Sequence, residues 1–194
     1  MQTQVTGKKI EVSAALRQQA EDKVQDVCKK YGLSPLETSV TFSRSASKVR
    51  SMVRCDIEMH LGRGVYVRAY YDTDEAYVCL EQAIETFEKR LRRYKKKLVD
   101  HTKKRDVDYK KAAGYQYVIH SEADKESTED HPLIIAETKT EIPSLTVSEA
   151  VMHLDLSDAQ AVLFNNVAHD QLNVVYRRED GNIGWISPSQ NGKS

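Results

Sequence analysis

The sequence predicts an α+β fold in two units, and three observations carry that reading. Three runs between Leu36 and Tyr71 alternate apolar and polar residues. Two longer segments flanking them repeat apolar residues every three or four positions. A second, shorter set of strand and helix signals resumes at Pro132. Alternation with period two builds a sheet with one buried and one wet face, whereas the longer repeat builds a helix with a single apolar stripe. Two helices laid over the same face of one sheet make a two-layer sandwich.

Gln2 to Thr6 is a short β-prone run ending at Gly7. Ser13 follows as an N-cap, its hydroxyl placed to accept an orphan amide at a helix start. Leu16, Ala20, Val24, Val27 and Tyr31 then form one stripe, with Lys29 and Lys30 at the negative helix end and Gly32 as the residue that ends it. Leu36, Thr38, Val40 and Phe42 share one face of the next strand. Val53, Cys55, Ile57 and Met59 share a face of the third, and Val65, Val67, Ala69 and Tyr71 a face of the fourth. Gly62-Arg63-Gly64 is the hairpin loop between these last two. A long helix is expected from about Asp74 to Val99, acidic at its start and basic at its end, as the helix dipole favours. Leu80, Ile84, Phe87, Leu91, Tyr94 and Leu98 fall within one stripe of it, and Lys89, Arg92, Arg93 and Lys96 lie on the opposite side. The first unit therefore reads β-α-β-β-β-α over residues 1–100.

Periodicity dissolves between 101 and 131, where the chain is polar and of mixed charge, so a flexible linker is expected there. Its tyrosines Tyr109, Tyr115 and Tyr117 have π-faces on which bases could stack. Leu133 to Ala136 is strand-like, and Thr146 with Glu149 makes a capping box opening a short helix through about Asp155. Ala161–Phe164, Leu172–Arg177 and Ile183–Ile186 are three more strands, the last two joined by an Asp180-Gly181-Asn182 turn. This smaller β-α-β-β-β unit spans 132–189, with a tail at 190–194. So small a unit buries little surface, and self-association is a natural remedy.

Charge is the most informative bulk property. The formal net charge is zero, yet residues 1–111 hold 24 basic and 16 acidic residues, net +8, and residues 112–194 hold 5 and 13, net −8. Residues 89–111 alone hold 12 basic and 3 acidic residues. One half of the chain suits a polyanion and the other does not.

Chemistry-bearing motifs are absent. No Walker loop, GxGxxG, HExxH or GxSxG occurs, and the three cysteines, Cys28, Cys55 and Cys79, have neither disulfide nor metal spacing. The six histidines are scattered. Asp72 and Asp74 read as strand-end and helix-cap residues. No catalytic residue, metal, cofactor or small-molecule substrate is expected. With no run of about 18 apolar residues and no basic-then-apolar opening, neither a membrane span nor a secretory signal is expected, which fits a reducing cytoplasm.

Several segments resemble a known family. EAYVCLEQAIETFEKRLRRYKKKL is similar to the second helix of the long-form ribosome hibernation promoting factors, within the ribosome-associated inhibitor and sigma-54 modulation proteins. Glu75 and Tyr77 fall where that helix opens, with glutamate in place of the usual aspartate, and Lys89, Arg93 and Lys97 on its basic ridge. GKKIEVSAALRQQAEDKV resembles the family's opening strand and helix, and LNVVYRREDGNIGWISP the extra domain of the long form. In the strand Ala161–Phe164 only Phe164 keeps the family's phenylalanine pattern.

The resemblance implies a double-stranded-RNA-binding-domain-like first unit lying in the messenger and transfer RNA channel of the small ribosomal subunit. Lys89, Arg90, Arg92, Arg93, Lys96 and Lys97, joined by Lys23, Lys30, Arg63, Arg68 and Tyr77, would contact rRNA. It further implies a C-terminal unit that pairs with a second copy and so bridges two ribosomes, as expected of a factor acting in stress and stationary phase. Val162, Phe164 and Val174 are the expected dimer contacts. Two other functions compete. A general double-stranded-RNA-binding protein would not need the acidic second unit, and a transcription modulator working through a protein partner would not need the basic ridge.

Overall fold

Alternation in the first unit is realised as a four-stranded sheet. In the computed structural model, which describes residues 3–44, 52–62, 64–103, 112–119 and 134–188, β1 (Thr3–Lys8), β2 (Glu37–Arg44), β3 (Val53–His60) and β4 (Tyr66–Thr73) lie side by side in that order. β1 pairs with β2 in parallel, and the other two pairs are antiparallel. A parallel pair needs a crossover, which α1 (Ala14–Tyr31) supplies. The Ser13 hydroxyl accepts the Leu16 amide at 3.2 Å, and Gly32, at φ +64°, ends the helix in a conformation few other residues adopt. Leu36 departs from expectation: it precedes β2 and is 72% exposed.

α2 (Ala76–Lys103) runs one turn beyond its expected end and starts two residues late, so Asp74 and Glu75 precede the helix and its first turn carries no acid. Both helices cover one face of the sheet. Leu16, Ala20, Val24 and Val27 of α1, Leu80, Ala83, Phe87 and Leu91 of α2, and the inward residues Val40, Phe42, Cys55, Ile57, Met59 and Val67 make one core. The Cys79 thiol bonds the carbonyls of Val53 (3.2 Å) and Tyr71 (3.0 Å), fastening the start of α2 to β3 and β4. Leu98 lies outside the described side chains.

Within the span expected to be a linker, residues 112–119 form a strand, β5 (Ala112–Ile119), paired antiparallel with β6 (Ile134–Ile142). Its sequence hides this because both faces are exposed, so no apolar alternation is required. Tyr115 and Tyr117 lie on β5 with ring centroids 6.4 Å apart; Tyr109, the remainder of the linker beyond Lys103, Leu133 and the 190–194 tail lie outside the described residues.

The second unit keeps a β-α-β-β-β order, but its first strand is not the expected Leu133–Ala136, whose residues 134–136 open β6 and pair with β5 instead; the short run after Pro143 takes its place. β7 (Ser144–Leu145), α3 (Val147–Leu156), β8 (Ala161–Asn166), β9 (Gln171–Arg177) and β10 (Ile183–Ile186) make a sheet ordered β10-β9-β8-β7, with β7 parallel to β8 across α3. Thr146 and Glu149 complete the capping box. Leu145, Ala150, Leu154, Phe164 and Val175 form its small core. Among the described residues no helix is long and apolar enough to cross a membrane.

All three thiols are buried and free, and burial pushes each of them up, Cys55 furthest. The thiolate is the reactive form. The folded chain is therefore expected to resist an aromatic disulfide reagent at neutral pH and to titrate three thiols in denaturant. Rapid labelling of any cysteine before unfolding would contradict the packing described.

Candidate nucleic-acid interface

The geometry of α2 follows from its period. Leu80, Ile84, Phe87 and Leu91 are buried, Tyr94 is half-buried, and Glu81, Glu85, Lys89, Arg92 and Lys96 lie exposed on the other side. That outer side changes sign along its length, acidic through Glu85 and basic from Lys89 onward. Arg92 and Lys96 have no ion-pair partner among the described residues, and neither has Lys95, whose ammonium stands 5.6 Å from the Tyr31 ring. Lys95 was not among the expected contacts, because a wheel drawn from the apolar stripe puts it at the flank.

Most of the other expected contacts are already engaged. Lys23 pairs with Glu81 at 2.8 Å, and Lys30 pairs with Glu88, a hydrogen bond that holds the Lys30 ammonium above its ordinary range. These pairs stitch α1 to α2. Lys89 pairs with Glu85 one turn back at 2.9 Å and thereby lowers that carboxyl. Such exposed pairs are screened by water and weak, so a phosphate can replace the carboxylate at little cost.

Arg90, Arg93 and Lys97 turn towards the second unit. Arg90 bonds the Arg68 carbonyl and pairs with Asp158 at 2.9 Å. Arg93 meets Asp155 at 3.4 Å, and the Lys97 ammonium donates to the Ser148 hydroxyl at 2.6 Å. Tyr94 donates its hydroxyl to Asp155; burial first, and that carboxylate second, push it up to about 12. Arg177 also pairs with Asp155, at 3.1 Å. A cleft of about 300 Å³ lies at this junction, lined by Lys89, Arg90, Arg93, Tyr94, Asp155 and Arg177 among others. Nothing in local periodicity marks Asp155 and Asp158 as partners of α2, since the contact exists only in the tertiary fold.

The remaining expected residues do not join the ridge. Arg68 lies on the sheet face away from the helices, paired with Glu58 at 2.8 Å and beside Tyr66. Tyr77 is 39% exposed in the first turn of α2, and Arg63 lies outside the described residues. In the second unit Phe164 is fully buried against α3, so it belongs to the core and is unavailable to a partner chain. Val162 packs on the same cluster. Val174 alternates to the opposite face, in register with Leu163 and Ile186 on its two neighbours. Leu163 is 45% and Ile186 57% exposed, and Leu172 shares that face. Among the described residues no cluster suited to a metal ion occurs.

Two family models match the chain. The one described as Sigma 54 modulation protein / S30EA ribosomal protein covers residues 3–99, and the one described as Sigma 54 modulation/S30EA ribosomal protein C terminus covers 129–184. The chain is 34% identical over 196 residues to a ribosome hibernation promotion factor of Bradyrhizobium diazoefficiens, covering 97% of this chain and 95% of that one. It is 34% identical over 192 residues to the protein of the same name from Rhizobium meliloti, covering 96% of each. It is 27% identical over 205 residues to the chloroplastic ribosome-binding factor PSRP1 of Spinacia oleracea, covering 97% of this chain and 68% of that one.

Because the outer cations of α2 contribute little to folding, Lys89→Ala, Arg92→Ala and Lys96→Ala are each expected to shift unfolding free energy by no more than about 0.5 kcal/mol. Urea titration checks this. A loss several times larger in any of them would make that side chain structural.

Proposed function

The chain belongs to the Sigma 54 modulation/S30EA ribosomal protein family and carries both parts of the long-form ribosome hibernation promotion factors. From that premise we propose that it silences ribosomes by physical occupation. Residues 1–100 bind rRNA in the messenger and transfer RNA channel of the small subunit, and residues 132–189 pair with a second copy to join two idle ribosomes. No bond is made or broken. Occupying the channel excludes the molecules that translation requires.

One observation carries this reading: α2 buries its apolar stripe and holds Arg92, Lys95 and Lys96 outward with no ion-pair partner among the described residues. Lys89, on a weak pair, extends the row towards the start of the helix, and Arg93 lies within it, paired with Asp155. A fixed RNA surface is recognised by shape and by phosphate position, which needs cations at set spacing and no base-reading geometry. The double-stranded-RNA-binding-domain likeness of the first unit rests on the same grounds, a sheet backed by two helices.

Pairing of two copies needs a self-complementary apolar patch, since a two-fold interface uses the same surface twice. The row Leu163–Val174–Ile186, crossing β8, β9 and β10 on the face away from α3, has that character. It replaces Phe164 and Val162 as the contact we favour and retains Val174.

Reversing charge at Lys89, Arg92, Arg93 and Lys96 to glutamate is expected to abolish co-sedimentation with small subunits. For the unaltered chain, log K should fall against log salt with a slope of about −3 to −4 if roughly four phosphates are neutralised. Retained binding in the reversed variant would end the phosphate-ridge account, and tight binding to free duplex RNA with no effect on ribosome sedimentation would favour a general RNA binder.

A separate variant addresses pairing. Leu163→Asp should leave single-subunit binding intact while paired ribosomes disappear from sucrose gradients. Persistence of the pairs would relocate the interface.

A further inference from the structure

We propose that the second unit is an intramolecular clamp on α2, in which Asp155 and Asp158 hold Arg93 and Arg90 as rRNA phosphates would, so that the free chain is closed and ribosome binding must open it. This rests on the ribosome-binding reading above and adds its regulation.

α3 is built to serve two cores. Ala150 and Leu154, one turn apart, are buried in the core of the second unit. Met152 and Leu156, also one turn apart but offset by two residues, point about 200° away on a helix of 100° per residue. Both are fully buried, in the core of the first unit. A ten-residue helix at the edge of a small independent unit would leave that second side wet. Its apolar character is explained if it docks on the first unit.

The polar rim of the same contact falls on the cationic part of α2. Asp158 meets Arg90 at 2.9 Å and Asp155 meets Arg93 at 3.4 Å, while Lys97 donates to Ser148. Arg90 is only 22% exposed in this arrangement, so a phosphate reaches it only once Asp158 has left. A guanidinium nitrogen that donates to a carboxylate cannot at the same time close a bidentate pair with a phosphate along that edge. The two states therefore compete for the same donors. Arg92, Lys95 and Lys96 stay outside the clamp and remain open for first contact with RNA.

Asp155 in the last turn of α3 and Asp158 just beyond it lie on the acidic half of a chain whose basic half ends on α2. Net charges of +8 and −8 in the two halves favour closure in the absence of a stronger polyanion.

The test uses the full chain and purified small ribosomal subunits. Asp155→Asn with Asp158→Asn is expected to tighten binding about fivefold or more at physiological salt, the usual floor for a coupled contact. Glu179→Gln with Asp180→Asn makes the same change in net charge on a distant turn and should shift affinity by less than about twofold by the same criterion. A second measurement leaves the clamp residues untouched. Spin labels at Glu11→Cys and Ser187→Cys, one in each unit, in labelled chain diluted into an excess of unlabelled chain so that distances within one chain are read, should give one narrow distance in the free chain and a longer or broader one on the subunit; the native thiols are buried and stay unlabelled. Equal affinity in the first pair and the unaltered chain, or an unchanged label distance on the subunit, overturns the clamp alone. Failure of every variant and the unaltered chain to bind subunits overturns the ribosome reading, and the clamp with it.

Discussion

Each cation on the outer half of α2 offers a few N–H donors, and a carboxylate that takes and covers some of them leaves fewer, and less accessible, donors for a phosphate. The helix cannot turn these groups inward, because its opposite side is committed to the core through Leu80, Ile84, Phe87 and Leu91. Burial of that stripe fixes the rotation of the helix. Rotation fixes which basic residues face out, and the neighbouring acids decide which of those are free. Glu81, Glu85 and Glu88 settle Lys23, Lys89 and Lys30, and Asp155 and Asp158 settle Arg93 and Arg90. Among the described residues, what remains open is a short row at Arg92, Lys95 and Lys96.

The strengths of these pairs differ by surroundings more than by distance. Lys89 and Glu85 sit in water on one helix face, with side chains more than half exposed, so their attraction is screened and easily exchanged. Arg90 and Asp158 are each less than a third exposed and flank an apolar contact through Met152 and Leu156. Removing one partner there leaves a poorly hydrated charge behind, so that pair opens only when another anion arrives or the whole unit moves.

Periodicity made most of the framework legible. The stripes of α1 and α2, the alternation of β2 to β4, the Ser13 cap and the Thr146–Glu149 box all express local physics, in which a residue's own neighbours in sequence determine its environment. Three features escaped because their causes lie elsewhere in the chain. β5 has no buried face to impose alternation. Phe164 looks identical in sequence whether its strand faces α3 or a partner, and only the register with Asn173 and the place of α3 decide it. The engagement of Arg90 and Arg93 depends on residues some sixty positions away, so a helix wheel shows them as free when the fold does not.

The second unit shows why a small domain carries more apolar surface than its own core can use. Five buried residues make a modest core for a four-stranded sheet and one helix, well below what a unit of that size needs to be comfortable alone. It nevertheless presents two further apolar surfaces. Met152 and Leu156 lie on the outer side of α3, and Leu163, Val174 and Ile186 lie on the far side of the sheet. The first is covered by α2 and β4 of the same chain; the second is open. Because the surfaces are on opposite sides of the unit, covering one does not obstruct the other. Under the proposed function, a unit built this way lets go of its own α2 and still holds a second copy, the combination required if one end is to enter a ribosome while the other joins its neighbour.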